Sequence, residues 1–265
     1  MANLKSRKIF LLFGAVGLAL AISIGGYAWV NKKEIVKVIR SASVTCTTST
    51  SEANTNSEIA VADFVGHQLP PAKWTSDGGD WLTYIPGVGA FTTDCSGKTI
   101  VTATFDTVDA AVGQTLDESL LLEKASAFAA LHVPDMTTLF KYSDTEIDHG
   151  SGLERSLTWR EKRGSAWFPK FVEVGIKMDG VIDGFSYNPI TIGSINVRPT
   201  ISASTAKAIV LKAHPSIQLK APPELDVVGD SSDAQLVWVM TGDEPSYMDV
   251  NLVDYSVDAQ TGSLQ

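Results

Sequence analysis

The sequence predicts an α+β protein in which a single N-terminal transmembrane helix is followed by tandem small units of one helix packed on an antiparallel sheet. Three observations support this fold class. A run of 22 uncharged residues occupies 9–30. Helical and alternating apolar periodicities then succeed one another along the chain. A Leu-x-Trp motif occurs twice, with Trp159 and Trp238 79 residues apart.

The uncharged run is long enough to cross a membrane, because a spanning helix needs about 20 apolar residues. Tyr27 and Trp29 lie at its end, where they suit a membrane–water interface. A signal peptide that is cleaved after export is the alternative. We expect an uncleaved signal anchor in a single-pass membrane protein, with the bulk of the chain extracytoplasmic.

The rest of the chain is acidic. Residues 1–40 contain seven Lys and Arg and one Glu, which leaves 14 basic and 29 acidic residues in 41–265 and a net charge of −15. Because phosphate binding needs clustered cations, this charge argues against a nucleic-acid partner. It suits solubility or a cationic partner.

Cys46 and Cys95 are the only cysteines, and a disulfide between them would close a loop of 49 residues. Such a bridge contributes up to about 4 kcal/mol in the chain-entropy model. Two free thiols are the alternative. A Cys-x-x-Cys pair, which would indicate redox or metal chemistry, is absent.

Strand and helix signals follow in order. Residues 41–57 are rich in Ser, Thr and Asn, which predicts a flexible stalk. Residues 81–107 contain two β-rich runs with turn signals, which predict hairpin strands. Thr115 and Glu118 form a capping box that predicts the start of a helix, and Pro134 ends it.

The second half of the chain repeats this order. Ser202 is an N-cap candidate for a helix, and a Leu-x-Trp strand and a long strand follow. Trp159 precedes Asp179 by 20 residues, and Trp238 precedes Asp258 by the same number. A shared order at a shared spacing predicts two copies of one unit.

Each unit offers one helix to cover one face of its sheet. We therefore interpret Trp159 and Trp238 as core residues that hold the helix against the sheet, with a ligand-stacking platform as the alternative. His132 and His214 fall at helix ends, where the helix dipole favours a cation.

The C-terminal unit carries a set of motif residues. They comprise a Ser-initiated helix with alanine on one face, a Leu-x-Trp strand and a closing Asp-Ala-x-x-Gly, namely Ser202, Ala206, Leu236, Trp238, Asp258, Ala259 and Gly262. This pattern resembles the PepSY domain family. The preceding unit resembles a more distant copy without the full closing motif. The resemblance implies a non-catalytic extracytoplasmic module that binds, inhibits or assists another protein, often a protease.

These signals give six predicted segments. They are a cytoplasmic tail (1–8), a transmembrane signal anchor (9–30), a stalk (31–57), a β-rich segment (58–111), a degenerate PepSY-like unit (112–190) and a PepSY-like domain (191–265).

Catalytic chemistry is not expected from this sequence. Asp148, His149 and Ser151 lie close together and make an exported hydrolase one alternative, but members of a catalytic triad are seldom sequence neighbours. The four histidines show no metal-ligand spacing. We expect no catalytic residue, cofactor or metal.

The sequence therefore predicts a membrane-anchored, non-enzymatic protein that binds another extracytoplasmic protein, for example a protease. A structural surface spacer is the second alternative.

Overall fold

Three helices and twelve strands make up the part of the chain that the computed structural model describes, residues 48–77, 79–107, 115–148, 153–245 and 250–265. The helices are α1 (Thr50–Val65), α2 (Glu118–His132) and α3 (Ala203–Ala213), and a 3-10 turn spans Met136–Thr138. The strands are β1 (Thr75–Asp77), β2 (Asp80–Ile85), β3 (Gly89–Thr93), β4 (Ile100–Phe105), β5 (Leu139–Asp148), β6 (Leu153–Arg163), β7 (Ala166–Lys177), β8 (Ile182–Asn188), β9 (Gln218–Leu219), β10 (Glu224–Val228), β11 (Gln235–Pro245) and β12 (Val250–Asp258). The predicted α+β class is confirmed.

The order helix, then four strands, occurs three times along the described residues. The first group is α1 with β1–β4, the second is α2 with β5–β8, and the third is α3 with β9–β12. The sequence predicted only two such units. The first was missed because its helix is rich in polar residues and its strands lack the Leu-x-Trp motif.

Helix α1 corrects the predicted stalk, which was wrong over residues 50–57. Ala53 and Ser57 are fully buried in this helix. The Ser57 hydroxyl lies 2.7 Å from the Thr93 hydroxyl, and Asn56 Nδ2 donates to the Ser96 carbonyl at 2.9 Å. The polar side chains that suggested a solvated linker therefore form hydrogen bonds between the helix and the β3–β4 region.

The helices start and end at residues with capping geometry. The Ser49 hydroxyl accepts from Glu52 N at the start of α1, and the Ser202 hydroxyl accepts from Thr205 N at the start of α3, as predicted for Ser202. Helix α2 begins after Asp117 and has no side-chain capping bond. The capping box predicted at Thr115 was therefore wrong, because the chain is not yet helical at that residue.

All twelve strands belong to one sheet with the order β1-β2-β3-β4-β8-β7-β10-β11-β12, while β6 pairs with β5 and β7, and β9 pairs with β11. The first and second groups meet where β4 pairs antiparallel with β8. The second and third meet where β10 runs parallel to β7, with Asp226 opposite Trp167. The units therefore share a sheet instead of forming separate sheets.

Helices α1 and α2 cover one hydrophobic cluster together with β2–β4 and β6–β8. Phe64 of α1 is half-buried and packs against this cluster, with ring centroids 5.8 Å from Phe128, 5.1 Å from Phe185 and 4.0 Å from His132. Each aromatic pair of this kind contributes about 0.5–1.5 kcal/mol beyond its buried area. Helix α3 packs on a separate cluster that includes Met240 of β11.

No helix among the described residues is long and apolar enough to cross a membrane. The longest, α1, has 16 residues and carries Glu52, Glu58 and Asp63. The prediction of a single-pass membrane protein was therefore wrong for the described structure. The segment predicted to span, 9–30, lies outside the described residues.

His132 also corrects an expectation. It ends α2 as predicted, but its ring packs against Phe64 and Phe128, at centroid distances of 4.0 and 4.6 Å. Burial lowers the pKa of His132 below the ordinary value of 6.5. The aromatic surroundings therefore favour the neutral imidazole more than the helix dipole favours the cation.

We predict that His132 makes the protein less stable as the pH falls. The pKa is lower in the folded than in the unfolded chain, so the unfolded chain takes up the proton first and the free energy of unfolding decreases below about pH 6.5. His132→Phe keeps an aromatic ring and removes this loss, so its advantage over the wild type should grow from pH 7.5 to pH 5 in urea unfolding. His67→Gln, at an exposed site, is the control, and an equal effect of both changes would contradict the prediction.

Candidate functional site

The two motif tryptophans lie in the hydrophobic clusters under the helices. Trp159 is 6% exposed and belongs to the cluster covered by α1 and α2. Trp238 is half-buried and borders two clusters, the one that includes Met240 and a second one formed by residues of β7, β10 and β11. Its Nε1 donates to the Ile201 carbonyl at 3.0 Å. Because Ile201 immediately precedes the N-cap of α3, the indole links strand β11 to the start of the helix.

The closing Asp-Ala-x-x-Gly motif is a hydrogen-bonded turn. Asp258 Oδ1 accepts from the backbone N–H groups of Thr261 and Gln260, at 2.6 and 2.8 Å. These bonds lower the pKa of Asp258 below its ordinary value, and the bond from the Thr261 N–H has the largest effect. Gly262 takes a left-handed φ of 79° and donates to the Asp258 carbonyl. The turn therefore has a structural reason for both its acidic and its glycine position.

Ala259 docks this turn onto the rest of the third group. It is fully buried, and its N–H donates to the Leu236 carbonyl at 2.8 Å. Its carbonyl accepts from Thr200 N and Ile201 N, at 2.9 and 3.1 Å. The motif thus joins β11, the closing turn and the entry to α3.

A second cluster crosses four strands at the junction of the second and third groups. Arg160 Nη2 donates to Asp226 Oδ2 at 3.1 Å, and both side chains are largely buried, at 12% and 13% exposure. Arg160 also donates to the Phe168 carbonyl. Tyr142 of β5 donates its hydroxyl to Glu224 Oε2 at 2.8 Å. These bonds link β5 and β6 to β10, and β6 to β7, in addition to the single register pair that joins β7 to β10.

Aromatic and cationic groups pack over this junction. The rings of Tyr142 and Trp167 meet edge to face at 4.9 Å. Arg160 Cζ lies 4.7 Å from the Tyr142 centroid, and Lys162 Nζ lies 4.4 Å from that of Trp167. Cation–π contacts at partly buried sites stabilise by about 0.5–2 kcal/mol each.

Burial governs the titration of the junction. It raises the pKa of Asp226 above the ordinary value, although the neighbouring Arg160 acts in the opposite direction. It also raises the pKa of Tyr142, which keeps the phenol protonated as the donor to Glu224. The cluster offers no nucleophile beside a base, and its chemistry is that of a structural interface.

Strand β5 forms the longest strand edge that lacks a partner among the described residues. It has ten residues and pairs only with β6. By contrast β1 has three residues, and the end of β12 is covered by the C-terminal tail, where Gln265 N donates to the Ser256 carbonyl. Phe140 at the start of β5 is 55% exposed. The outer edge of β5 is therefore the main surface at which another strand could add.

A shallow cleft lies between α1 and the segment that leads to β1. Its volume is about 220 Å³, and it is lined by Glu58, Ile59, Val61, Ala62, Gln68, Leu69, Pro70, Pro71, Ala72, Trp74 and Ile85. The Trp74 indole N–H is buried without a hydrogen-bond partner among the described residues. The lining is largely apolar.

The alternative catalytic residues cannot be assembled from the described structure. Asp148 is the last residue of β5, whereas His149 and Ser151 lie outside the described residues. Asp148 pairs in register with Leu153, so these residues belong to the connection of the β5–β6 hairpin. The described histidines do not complete a site either. His67 lies against a backbone carbonyl, while the rings of His132 and His214 pack on aromatic rings.

The structure adds little on metal sites and on the predicted disulfide. Within the described ranges, no group of three His, Cys, Asp or Glu side chains could hold a metal ion. Asp179 Oδ1 accepts from Val181 N at 3.1 Å in a hairpin turn. Cys46 lies outside the described residues, so its disulfide with Cys95 stays a prediction.

The junction and the β5 edge were not found from the sequence. Arg160 and Asp226 are 66 residues apart, and no local pattern indicates that they pair. Arg160 and Trp167 on neighbouring strands are a weak sequence signal of an interface. The strand that they contact follows only from the sheet topology.

No protein-family profile matches the chain, and no curated protein matches it. Among solved structures, the C-terminal domain of YpeB from Bacillus megaterium is similar to it, with a TM-score of 0.45 and 16% sequence identity. The match covers 82% of this chain and 95% of that chain. The PepSY resemblance of residues 191–265 therefore stays a prediction.

We predict that Gly262→Ala destabilises the third group by about 1–2 kcal/mol, because an L residue with a Cβ is strained at a left-handed φ. The nearest side-chain atom, Ile209 Cδ1, is 3.5 Å from the added Cβ, so the cost comes from the backbone and not from a clash. Gly193→Ala is the matched control, since its Cβ would meet nothing within 4 Å and its φ is not positive. Urea unfolding should separate the two variants, and equal stabilities would contradict the prediction.

We also predict that Arg160→Ala lowers the free energy of unfolding by roughly 2–4 kcal/mol, because it leaves the Asp226 carboxylate buried without its cation. The double variant Arg160→Met/Asp226→Leu should recover most of the loss. Lys141→Ala removes a cation that is 40% exposed and should cost less than about 1 kcal/mol. Hydrogen exchange should show increased opening of β10–β12 in Arg160→Ala, and a loss confined to β5 would be inconsistent with a junction role.

Proposed function

We propose that this chain is a non-catalytic binding protein that accepts an extended segment of another protein along the outer edge of β5. A protease is one partner of the kind that the PepSY-like sequence pattern implies. The single observation that carries the proposal is the ten-residue edge of β5, which pairs on one side only.

Strand addition suits this edge for a physical reason. An edge strand presents a row of backbone N–H and C=O groups that an extended peptide can satisfy, while its side chains add selectivity. The edge is held in place from behind, since β5 registers with β6 over its length and β6 registers with β7. A rigid template reduces the entropy lost on binding.

The edge also has features that limit uncontrolled pairing. The register with β6 shifts between Lys141 and Ser143, which places a bulge at Tyr142. Lys141, Asp144 and Glu146 add charge to the strand. Bulges and charged residues are the usual devices that keep an edge from aggregating. The regular segment after the bulge, 143–148, is therefore the part we assign to binding.

The non-catalytic part of the proposal rests on the site geometry. The most polar cluster, around Arg160 and Asp226, is committed to the junction between strand groups. The motif residues Trp238 and Asp258 are committed to backbone hydrogen bonds within the third group.

We predict that a ten-residue peptide of alternating Thr and Gln binds the full chain at β5. Titration into the isotope-labelled protein should shift the backbone NMR signals of residues 143–148 most strongly. Two N-methylated peptides provide the decisive comparison, one methylated at its odd-numbered residues and the other at its even-numbered residues. In an extended strand only one parity directs its N–H groups toward β5, so only one peptide should lose affinity, by roughly tenfold or more.

The three-residue strand β1 is the internal control, and its signals should not move. Equal loss by both modified peptides, or loss by neither, would show that binding does not use strand pairing. A pure spacer would give no shifts with any of the peptides.

A further inference from the structure

The side chains along β5 alternate between acidic and neutral types after the bulge. Asp144 and Glu146 lie opposite Leu157 and Arg155 of β6, so both belong to the sheet face that the helices cover. The next residue at this spacing is Asp148. The residues between them, Ser143, Thr145 and Ile147, are uncharged.

The two described carboxylates differ in how they are neutralised. Asp144 accepts from Lys141 Nζ at 2.7 Å and from Arg155 Nε at 2.8 Å. Arg155 also contacts Glu118 of α2, at 3.1 Å. Glu146 is exposed and makes no hydrogen bond or ion pair with the described residues. Glu146 thus makes no ion pair within the described ranges, although Arg155 lies opposite it in β6, because Arg155 is bonded to Asp144 and Glu118.

A second copy of this chain fits the edge poorly. When two identical strands pair antiparallel, residues of the same face lie opposite each other. Over the regular segment 143–148, every such register places an acidic residue of one copy opposite an acidic residue of the other. Like charges directly opposite each other are destabilising. Pairing of β5 with β5 of a second copy is therefore disfavoured, and pairing with a basic strand is favoured.

We infer that the segment accepted by β5 carries Lys or Arg at alternate positions, with uncharged residues between them. This inference rests on the proposed function, because it names the partner of the same edge. A cation opposite Glu146 completes an ion pair that the described structure lacks. The chain would thus select a basic extended segment by charge and fix its register by alternation.

Three ten-residue peptides test this, in which Thr alternates with Lys, with Gln or with Glu. Affinities for the full chain are measured by NMR titration at low and high salt. We expect the order Lys, Gln, Glu, with roughly tenfold between the Lys and Glu peptides. At about 1 M salt, where screening acts within roughly 3 Å, the three affinities should converge.

Charge variants identify the edge as the source of this selectivity. Glu146→Gln should reduce the ratio of Lys to Glu peptide affinities by roughly threefold, the effect of one cross-strand charge pair. Glu58→Gln removes the same charge from an exposed position of α1, a helix that packs on β2, β3 and β4, and should leave the ratio unchanged.

The outcomes separate the two proposals. Equal binding of all three peptides would overturn the basic partner and leave strand addition standing. No binding of any peptide would overturn both. Lys-peptide binding that Glu146→Gln does not weaken, or with shifts outside β5, would assign the effect to general surface charge and overturn the inference. A dimer in sedimentation whose interface is β5 would assign the edge to a second copy and would also overturn the inference.

Discussion

Strand β7 carries the constraint on which the rest of the sheet depends, because it contacts three other strands. It registers with β6 on both sides of a shift, its second half registers with β8, and Trp167 near its start lies beside Asp226 of β10. A single parallel register pair is a weak connection between two groups of strands. The Arg160–Asp226 ion pair and the Tyr142–Glu224 hydrogen bond add side-chain links across the same point. The position of the third group thus depends on these polar contacts and on the buried apolar cluster that Ala166 and Phe168 of β7 form with residues of β10 and β11.

That arrangement explains why the polar groups of the junction are best understood as structural. A buried Arg–Asp pair contributes little net stability, since desolvation offsets its attraction, but it is specific about geometry. Arg160 is fixed by the Phe168 carbonyl and by the rings of Tyr142 and Trp167, so its donors have one arrangement. A register error between β7 and β10 would leave both charges without partners. The ion pair therefore defines how the groups align more than it holds them together.

Local patterns in the sequence predicted much of the second and third groups. The N-cap at Ser202 and the burial of Trp159 depend on residues close in sequence or on simple periodicity, and such signals are readable. Helix α1 was misread because Ser57 and Asn56 look like linker residues until Thr93 and Ser96 are placed beside them. The edge position of β5 was unreadable for a similar reason. Strands β5 and β6 are both rich in polar and charged residues, and only the topology decides which of them lies inside the sheet.

The charges on β5 connect the stability of the fold to its proposed use. An exposed edge invites pairing with any extended chain, and acidic residues at alternate positions penalise pairing with a copy of the same strand. The same residues lower the free energy of pairing with a basic strand, so protection and selectivity come from one feature. Because Asp144 is already neutralised by Lys141 and Arg155, the discrimination falls mainly on Glu146. A sheet that joins three helix-and-strand groups thus leaves one long edge open and gives it a charge that restricts what can bind there.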